Sequence, residues 1–198
     1  DRSSAASDVY KRQGLDPANR YVLFFGLIRD YKGLDLLLDA WAQLRRAGRT
    51  EGRRLIVAGE FYTAREPYLN RIADNGLQDE VLLHDRFIPD DDVKYYFSAA
   101  DFVVQPYKTA TQSGVTQIAY NFELPMIVTD VGGLPEIVPD GRVGYVCRPD
   151  AAGVADALVR ICEGDTLARF RSAMREEKRR FSWEEMCDRI TELYESIR

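Results

Sequence analysis

Two cations follow the first strongly apolar segment of the chain, and their setting suggests binding of a phosphate group. Arg29 and Lys32 lie in the stretch GLIRDYKG, where Gly26 lets the backbone turn and leaves room for a ligand. Exposed N–H groups at a helix start and nearby cations together favour an anion. The stretch contains neither GxGxxG nor GxxxxGKT, so a solvated turn with two surface cations is the alternative on local pattern alone.

A second polar stretch, QPYKTATQSGV, precedes an apolar helical pattern. Its small polar residues are typical helix caps, and the N–H groups that they would cap could instead hold a diphosphate. Gly114 would allow close approach of the backbone, and Lys108 would help to neutralise the charge. An ordinary capped helix is the alternative. The same alternative applies to a third stretch, TDVGGLPE, which has two glycines and a proline suited to a first helical turn.

Other kinds of chemistry have little support in the sequence. The run Asp90–Asp92 is interpreted as the negatively charged start of a helix, not as a metal site. His84 is the only histidine and is interpreted as structural, so no Ser–His–Asp or Cys–His set can be assembled. The three cysteines are far apart without a CxxC motif, which argues against structural zinc and a disulfide framework and favours a reducing compartment.

Composition and charge narrow the class of protein. The 198 residues are 45% hydrophobic, which is enough to fill a sizeable core and excludes global disorder. With 27 basic and 32 acidic residues the net charge is −5, so no nucleic-acid partner is expected. The longest apolar run, residues 21–28, is too short to span a bilayer. We expect a cytoplasmic protein. The basic stretch at 175–180 is interpreted as a solvated helix face that could contact anionic lipid peripherally at the inner membrane face.

The elements that must position these stretches alternate along the chain. Short, mostly continuous apolar runs predict strands buried on both faces, at 21–26, 54–59, 80–85, 101–106, 125–130 and 144–148. Helical spacing lies between them and continues to the carboxyl terminus, where Met186, Ile190, Leu193 and Ile197 recur. This alternation predicts an α/β fold with a doubly wound, mainly parallel six-stranded sheet, whose ligands bind at the carboxyl ends of the strands. Residues 1–13 have no apolar period and are interpreted as a non-native leader, which leaves 14–198 as the domain.

Several blocks of the chain, taken in order, resemble one family. These are GLIRDYKGLDLLLDA, LIVAGE, ADFVVQPY, LPMIVTDVGGLPEIV, GYVCRPD and FSWEEMCDRITELYE. They are similar to the carboxyl-terminal domain of family-four retaining glycosyltransferases, which have the Rossmann-like GT-B architecture, over about residues 21–198. The resemblance implies a domain that binds a nucleotide-diphospho-sugar. No metal or other cofactor is expected, because two cations and a helix start can take the place of a metal. The resemblance implies that a separate amino-terminal domain, missing here, holds a glycan or lipid-linked acceptor.

The resemblance also assigns roles to individual residues in the first polar stretch. Gly26, Lys32 and Gly33 match the family's contacts to the donor phosphates. Leu27 stands where the family has an arginine, and Arg29, two positions on, is expected to take over that role. Arg29 and Lys32 are therefore the predicted catalytic residues, stabilising the nucleoside diphosphate as it leaves.

The second stretch departs from the family pattern. The family has two glutamates eight positions apart, and the corresponding residues 110–118 contain neither. Gln117 is the predicted substitute for the contact to the ribose, since an amide still hydrogen-bonds to hydroxyls. The predicted backbone contacts to the diphosphate are Ser113, Gly114, Val115 and Thr116. The predicted edge for the base, after the third strand, is formed by Arg86, Phe87 and Ile88.

Three functions are compatible with these residues. Because the loops remain suited to phosphate, a sugar transferase with altered donor geometry is favoured over one with an inactive site. A nucleotide-sugar epimerase on the same architecture would need carboxylates aimed at the sugar, and residues 105–118 offer none. A non-catalytic module that binds nucleotide-sugars or acts as a scaffold is suggested by the missing glutamates.

Overall fold

Six strands form the centre of the molecule in the computed structural model, which describes residues 14–197. They are β1 (Arg20–Phe25), β2 (Arg53–Ala58), β3 (Val81–His84), β4 (Phe102–Gln105), β5 (Met126–Thr129) and β6 (Gly144–Cys147). Each strand begins and ends within one residue of its predicted limits. The interpreted leader, residues 1–13, lies outside the described residues.

All neighbouring strands in the sheet run parallel, in the order β3-β2-β1-β4-β5-β6. Leu23 in the centre of β1 pairs with Ile56 of β2 on one side and with Val103 of β4 on the other. The predicted doubly wound α/β sheet is therefore confirmed, and it is parallel throughout. The chain moves outward from β1 to β3 and then returns to start β4 beside β1.

Helices follow the strands along the described part of the chain. They are α1 (Leu34–Arg46), α2 (Glu66–Asp74), α3 (Asp90–Ala99), α4 (Gly114–Asn121), α5 (Leu134–Ile137), α6 (Ala151–Arg160), α7 (Thr166–Glu177) and α8 (Trp183–Ser196). Short 3-10 turns at Asp30–Lys32 and Lys178–Phe181 precede α1 and α8. The predicted acidic helix start is confirmed, since α3 begins at Asp90 with three aspartates in its first turn.

The sheet is covered on both faces by apolar layers. In β1, Val22 and Phe24 belong to one layer, which includes Trp41 of α1, while Tyr21 and Leu23 belong to the other. Successive side chains of a strand point to opposite faces, so both sets must be apolar when both faces are covered. This explains why the strands read as continuous apolar runs.

The basic stretch at residues 175–180 is exposed at four of its six positions, as the sequence suggested, but it also forms ion pairs with distant residues. Glu177 is only 8% exposed and accepts hydrogen bonds from Arg142, at 3.0 Å, and from Arg180. Lys178 donates to Glu123, in the turn after α4, at 2.6 Å. The isolated sequence shows the basic residues but not the distant acids that pair with them. These contacts fasten α7 and the following turn to the body of the domain.

Helix α8 stands apart from the packed layers. None of its residues is buried, and its large apolar side chains are exposed. Their spacing of three or four residues places them along one side of the helix. We call this set, with Ile197 directly after the helix, the α8 stripe: Trp183, Met186, Ile190, Leu193 and Ile197. In the part of the chain that the structure describes, no helix is both long enough and apolar enough to cross a membrane.

Candidate functional site

The site lies where the direction of chain winding reverses. Strands β1 and β4 are neighbours in the sheet, but the connections that leave them run to opposite sides. Such a reversal opens a crevice at the carboxyl ends of the two strands, which is the usual ligand position in doubly wound sheets. The two polar stretches singled out in the sequence follow these two strands. We call the space between residues 26–33 and 106–116 the β1–β4 crevice.

The two loops that border the crevice touch each other through their backbones. Gly33 has φ +68°, and a Cβ atom there would lie 1.9 Å from the carbonyl oxygen of Pro106. Beside it the Lys108 N–H donates to the Tyr31 carbonyl at 2.7 Å. The glycine is thus required for both its conformation and its close contact, and the two loops are held as one unit.

Gly26, Lys32 and Val115 come together at the crevice. A Cβ atom on Gly26 would lie 2.9 Å from the Lys32 Nζ atom and 3.9 Å from a methyl group of Val115. Gly26 also has φ +105°, a conformation that other residues rarely adopt. The first residue after β1 therefore makes the space that the Lys32 ammonium occupies.

Lys32 carries its charge without a carboxylate partner among the described residues. Its ammonium lies 5.4 Å from the centre of the Tyr107 ring. Burial lowers the pKa of Lys32, and the positive charge of Arg29 lowers it further. An anion placed beside Lys32 would offset both effects, so the electrostatics of the crevice favour negative ligands.

Arg29 lies at the outer rim of the same loop. Its side chain is exposed, with the guanidinium carbon 5.1 Å from the centre of the Tyr62 ring. The acid of the loop, Asp30, is turned elsewhere, where it accepts hydrogen bonds from Thr63 at 3.0 Å and Tyr68 at 3.1 Å. The two cations are thus left at the crevice while the neighbouring carboxylate is engaged.

The start of α4 supplies fewer open amides than predicted. Ser113 caps the helix, because its Oγ accepts from the Val115 N–H at 3.2 Å and its carbonyl accepts from the Thr116 N–H at 3.2 Å. Within residues 14–197 the N–H groups of Ser113 and Gly114 have no acceptor. Gly114 is exposed with open space beside it. The amides available to a ligand are therefore those of Ser113 and Gly114.

A glycine turn after β5 supports this loop from behind. A Cβ atom on Gly132 would lie 1.6 Å from the Ala110 carbonyl oxygen, and the Gly133 N–H donates to the Thr111 carbonyl at 3.0 Å. Ala110 and Ile118, at the ends of the stretch that resembles the family's glutamate pair, pack against an apolar layer. No carboxylate is supplied from these two positions.

Two predicted roles find other partners in the structure. Lys108, expected to neutralise a diphosphate, donates instead to Asp35 at 2.7 Å. Gln117 is exposed and lines a groove of about 370 Å³ with Arg179 and Phe181. This groove lies between α4 and the 3-10 turn at Lys178–Phe181. The assignment of Gln117 to a ribose stays a prediction.

The predicted edge for a base follows β3, two strands away from β1. Phe87 is 64% exposed there, whereas the Ile88 side chain is buried in the core, so Ile88 offers mainly its backbone to a ligand. Arg86 lies 3.5 Å from Asp92 and 3.4 Å from the Tyr96 hydroxyl. These residues are thus placed at the carboxyl edge of the sheet but apart from Lys32.

His84 lies at the end of β3 and is part of this same cluster. Its Nδ1 is 2.9 Å from the Tyr96 hydroxyl. Burial lowers its pKa, and the charge of Arg86 lowers it further. The contact with Tyr96 agrees with the structural role expected from the sequence.

Tyr107 is the site residue that the sequence did not reveal. It is 3% exposed, and its hydroxyl lies 3.2 Å from Ser113 Oγ. Burial raises its pKa to about 12. A single aromatic residue inside a polar loop gives no periodic signal, so only the fold could show that it lies between Lys32 and Ser113.

Two cavities of about 300 and 270 Å³ lie at the other end of the sheet. Arg53 and Cys162 line both of them, and Arg20 lines the larger. They contain none of the predicted site residues. The β1–β4 crevice differs from them in combining an uncompensated cation with open amides at the position where this fold binds ligands.

Comparison with known proteins identifies the family. The family model described as "Glycosyl transferases group 1" matches residues 19–164, well over half of the chain. The chain belongs to this family. The chain is 28% identical over 192 residues to the D-inositol 3-phosphate glycosyltransferase of Jonesia denitrificans, an alignment that covers 93% of this chain and 45% of that protein. The glycosyltransferase resemblance seen in the sequence is thereby confirmed.

Solved structures agree with the fold. Sucrose-phosphate synthase from Thermosynechococcus elongatus matches with a TM-score of 0.79 and 25% identity, over 96% of this chain and 48% of that chain. Anabaena Alr3699/HepE in complex with UDP matches with a TM-score of 0.79 and 23% identity, over 98% and 53% of the two chains. The glycosyl transferase domain thus spans about half the length of the proteins it matches.

Proposed function

We propose that this chain is the donor-binding part of a sugar transferase, and that the β1–β4 crevice holds the diphosphate of a nucleotide-sugar. The observation that carries the proposal is the Lys32 ammonium, partly buried and without a carboxylate partner beside Gly26. Membership in the group 1 family supports it. So does the fold shared with Anabaena Alr3699/HepE, which was solved with UDP and with UDP-glucose.

The proposed reaction depends on stabilising charge on the leaving group. When the bond between sugar and diphosphate breaks, the bonding electrons stay on the nucleoside diphosphate and its negative charge grows. Lys32 and Arg29 would face that charge from the β1 side, and the N–H groups of Ser113 and Gly114 would face it from the α4 side. Groups fixed in advance around developing charge lower the barrier without reorganising during the reaction.

We further propose that the acceptor, a glycan or lipid-linked glycan, is held by a separate amino-terminal domain. The curated relatives are more than twice as long as the part that this chain matches, which leaves room for such a domain. The α8 stripe supports a protein neighbour, because isolated helices of this length are marginal unless their apolar side is covered. Five acidic residues and only one basic residue lie within α8, so an anionic lipid surface is a poorer fit than a protein.

Calorimetric titration with UDP and GDP tests the proposed site. Charge-assisted hydrogen bonds contribute about 1.5–3 kcal/mol each, so the double variant Arg29→Ala, Lys32→Ala is expected to bind at least 100-fold more weakly, roughly, than the wild type. The control variant Arg46→Ala, Arg49→Ala removes one cation at the far end of α1 and one just after it, and it is expected to bind normally. Unchanged affinity in the first variant would show that the crevice is misassigned.

A further inference from the structure

Tyr107 lies in the loop after β4, and its side chain contacts both the cation of the loop after β1 and the residue that caps α4. Its ring centre lies 5.4 Å from the Lys32 ammonium, and its hydroxyl lies 3.2 Å from the Oγ of Ser113. The side chain is 97% buried, as its 3% exposure shows, so it has little freedom to leave these contacts. A single side chain therefore links the cation supplied after β1 to the helix start supplied after β4.

Among the described residues, the Tyr107 ring is the only group that forms a favourable electrostatic contact with the Lys32 ammonium. An ammonium over an aromatic ring is attracted by the electron density of the ring face, and the attraction grows when water is excluded. Tyr31 packs its ring against Tyr107 with centroids 6.0 Å apart and planes at 83°. This second ring restricts the tilt of the first, and so the direction in which the ammonium is held.

The hydroxyl acts on the other wall. Ser113 Oγ caps α4 by accepting a hydrogen bond from the Val115 N–H, and the Tyr107 hydroxyl is a second group in contact with this Oγ. The Tyr107 carbonyl is fixed in turn by the buried Thr129 hydroxyl, which donates to it at 2.5 Å. Because burial raises the pKa of Tyr107 to about 12, its hydroxyl keeps its proton at neutral pH and can donate to Ser113.

We infer that Tyr107 is a positioning residue of the donor site, whose ring places the Lys32 ammonium and whose hydroxyl orients Ser113 so that both walls meet one diphosphate. The identity of that ligand rests on the proposed function, but the placement of Lys32 does not. The roles of the ring and of the hydroxyl can be tested separately, because Tyr107→Phe removes only the hydroxyl and Tyr107→Leu also removes the ring.

The first test measures the pKa of the Lys32 ammonium by NMR in the ligand-free 198-residue chain. Leucine keeps water out but lacks a ring face, so Tyr107→Leu is expected to lower the pKa of Lys32 below its wild-type value, while Tyr107→Phe leaves it unchanged. Tyr62→Leu is the matched control, since that ring lies over Arg29 instead. An unchanged pKa of Lys32 in a folded Tyr107→Leu variant would overturn the inference, as would a shift in Tyr107→Phe equal to that in Tyr107→Leu.

The second test measures UDP affinity by calorimetry in a double-mutant cycle. In the presence of Lys32, Tyr107→Leu is expected to bind about fivefold more weakly than Tyr107→Phe. In a Lys32→Met background the two variants are expected to bind alike, because the ring acts through Lys32. A Phe-to-Leu difference that persists without Lys32 would show that the ring acts independently and overturn the positioning role.

A second double-mutant cycle tests the contact between the Tyr107 hydroxyl and Ser113. It uses Tyr107→Phe, which keeps the ring and therefore disturbs the fold least. This substitution is expected to weaken UDP binding a few-fold in the wild type and not at all in Ser113→Ala. Equal effects in both backgrounds would contradict the contact with Ser113. If the wild-type chain binds no nucleoside diphosphate, the proposed function fails, and the pKa of Lys32 still decides whether Tyr107 places the ammonium.

Discussion

In the proposed site, Lys32 would serve anion binding at the expense of the stability of the ligand-free chain. Its ammonium is partly buried, close to the charge of Arg29, and lacks a carboxylate partner among the described residues. Each of these features disfavours the charged form in the empty crevice. Each also makes an incoming anion more favourable, which is the trade-off expected of a residue placed for function and not for stability.

Replacing this lysine with an uncharged residue of similar length is therefore expected to stabilise the chain. Lys32→Met should raise the free energy of unfolding at pH 7 by about 0.5 kcal/mol while weakening nucleoside diphosphate binding. Denaturant unfolding monitored by circular dichroism measures the first effect. Lys94→Met, at an exposed position in α3, is the control and should change little. A clear loss of stability in Lys32→Met would contradict the account of its environment.

The same charge predicts two dependences on pH. The pKa of Lys32 is lowered in the folded state, so between that value and the ordinary 10.5 the unfolded chain binds more protons than the folded one. Stability from this group therefore rises with pH across that window, and the rise should be absent in Lys32→Met. Anion binding needs the ammonium, so nucleotide affinity should fall as pH rises through the lowered pKa. Unfolding and calorimetry from pH 7 to 10.5 check both directions.

Gly33 and Gly48 allow the two demands on a glycine to be separated. Both have a left-handed conformation, with φ +68° and +67°, but only Gly33 lies against another backbone. Gly48→Ala is expected to cost about 1 kcal/mol for the conformation alone. Gly33→Ala should cost about 3 kcal/mol or more, because its Cβ would overlap the Pro106 carbonyl. Urea unfolding measures both, and equal losses would contradict the close contact of the two crevice loops.

At this scale the sequence predicts residue types better than their partners. Gly26, Arg29 and Lys32 were singled out because a glycine and two cations follow the first strand, and their role toward a phosphate stays a prediction. The engagement of Lys108 by Asp35 and the position of Tyr107 were not predicted, because each depends on side chains brought together by the fold. The amides of Val115 and Thr116 were predicted to be open, but the Ser113 cap engages them.

Among the elements, the strands were predictable because burial on both faces leaves them no polar positions. The continuous runs of Val, Ile, Leu and Phe marked all six within one residue at each end. The helices were less fully predicted, because a helix touches the core with one side only. The end of α7 was only partly predicted. Six charged side chains in succession indicate solvent exposure, but they do not show the pairing with Glu123 and Arg142.

The ion pairs at the end of α7 predict how this helix is attached to the rest of the domain. Glu177 is almost buried, and Glu176 beside it is exposed, yet both accept from Arg142. Glu177→Gln is expected to lower the free energy of unfolding by about 2 kcal/mol, and Glu176→Gln by less than about 0.5 kcal/mol. Denaturant unfolding of the two variants measures the contrast. Similar losses would show that Glu177 is no more important than a surface acid.

The stabilisation that Glu177 provides through Arg180 depends on pH. Hydrogen bonding from Arg180 lowers the pKa of Glu177 in the folded state. Its contribution is therefore complete above the ordinary value of 4.5 and is lost as the pH falls from there toward the lowered value. The difference in free energy of unfolding between wild type and Glu177→Gln, measured by denaturant unfolding, should therefore become smaller in that acidic range.

For the whole molecule, we expect substitutions in the α8 stripe to affect stability differently in this chain and in a longer chain whose added domain covers the stripe. The double variant Ile190→Ser, Leu193→Ser changes two exposed side chains, so the 198-residue chain should keep its stability within about 0.5 kcal/mol. In a longer chain that carries the proposed amino-terminal domain, the same variant should lower the melting temperature by several degrees if that domain covers the stripe. Glu192→Gln, on the same helix, is the control for both. Equal melting shifts in the two lengths of protein would argue against a covering domain.

The central claim is that the crevice between β1 and β4 receives a nucleoside diphosphate, and a crystal structure of the chain soaked with UDP examines it directly. The expected result is a diphosphate within hydrogen-bonding distance of Lys32 Nζ and of the Gly114 N–H, with the Arg29 guanidinium turned toward it. A diphosphate bound elsewhere, for instance beside Arg20 and Arg53 at the opposite end of the sheet, would contradict the assignment.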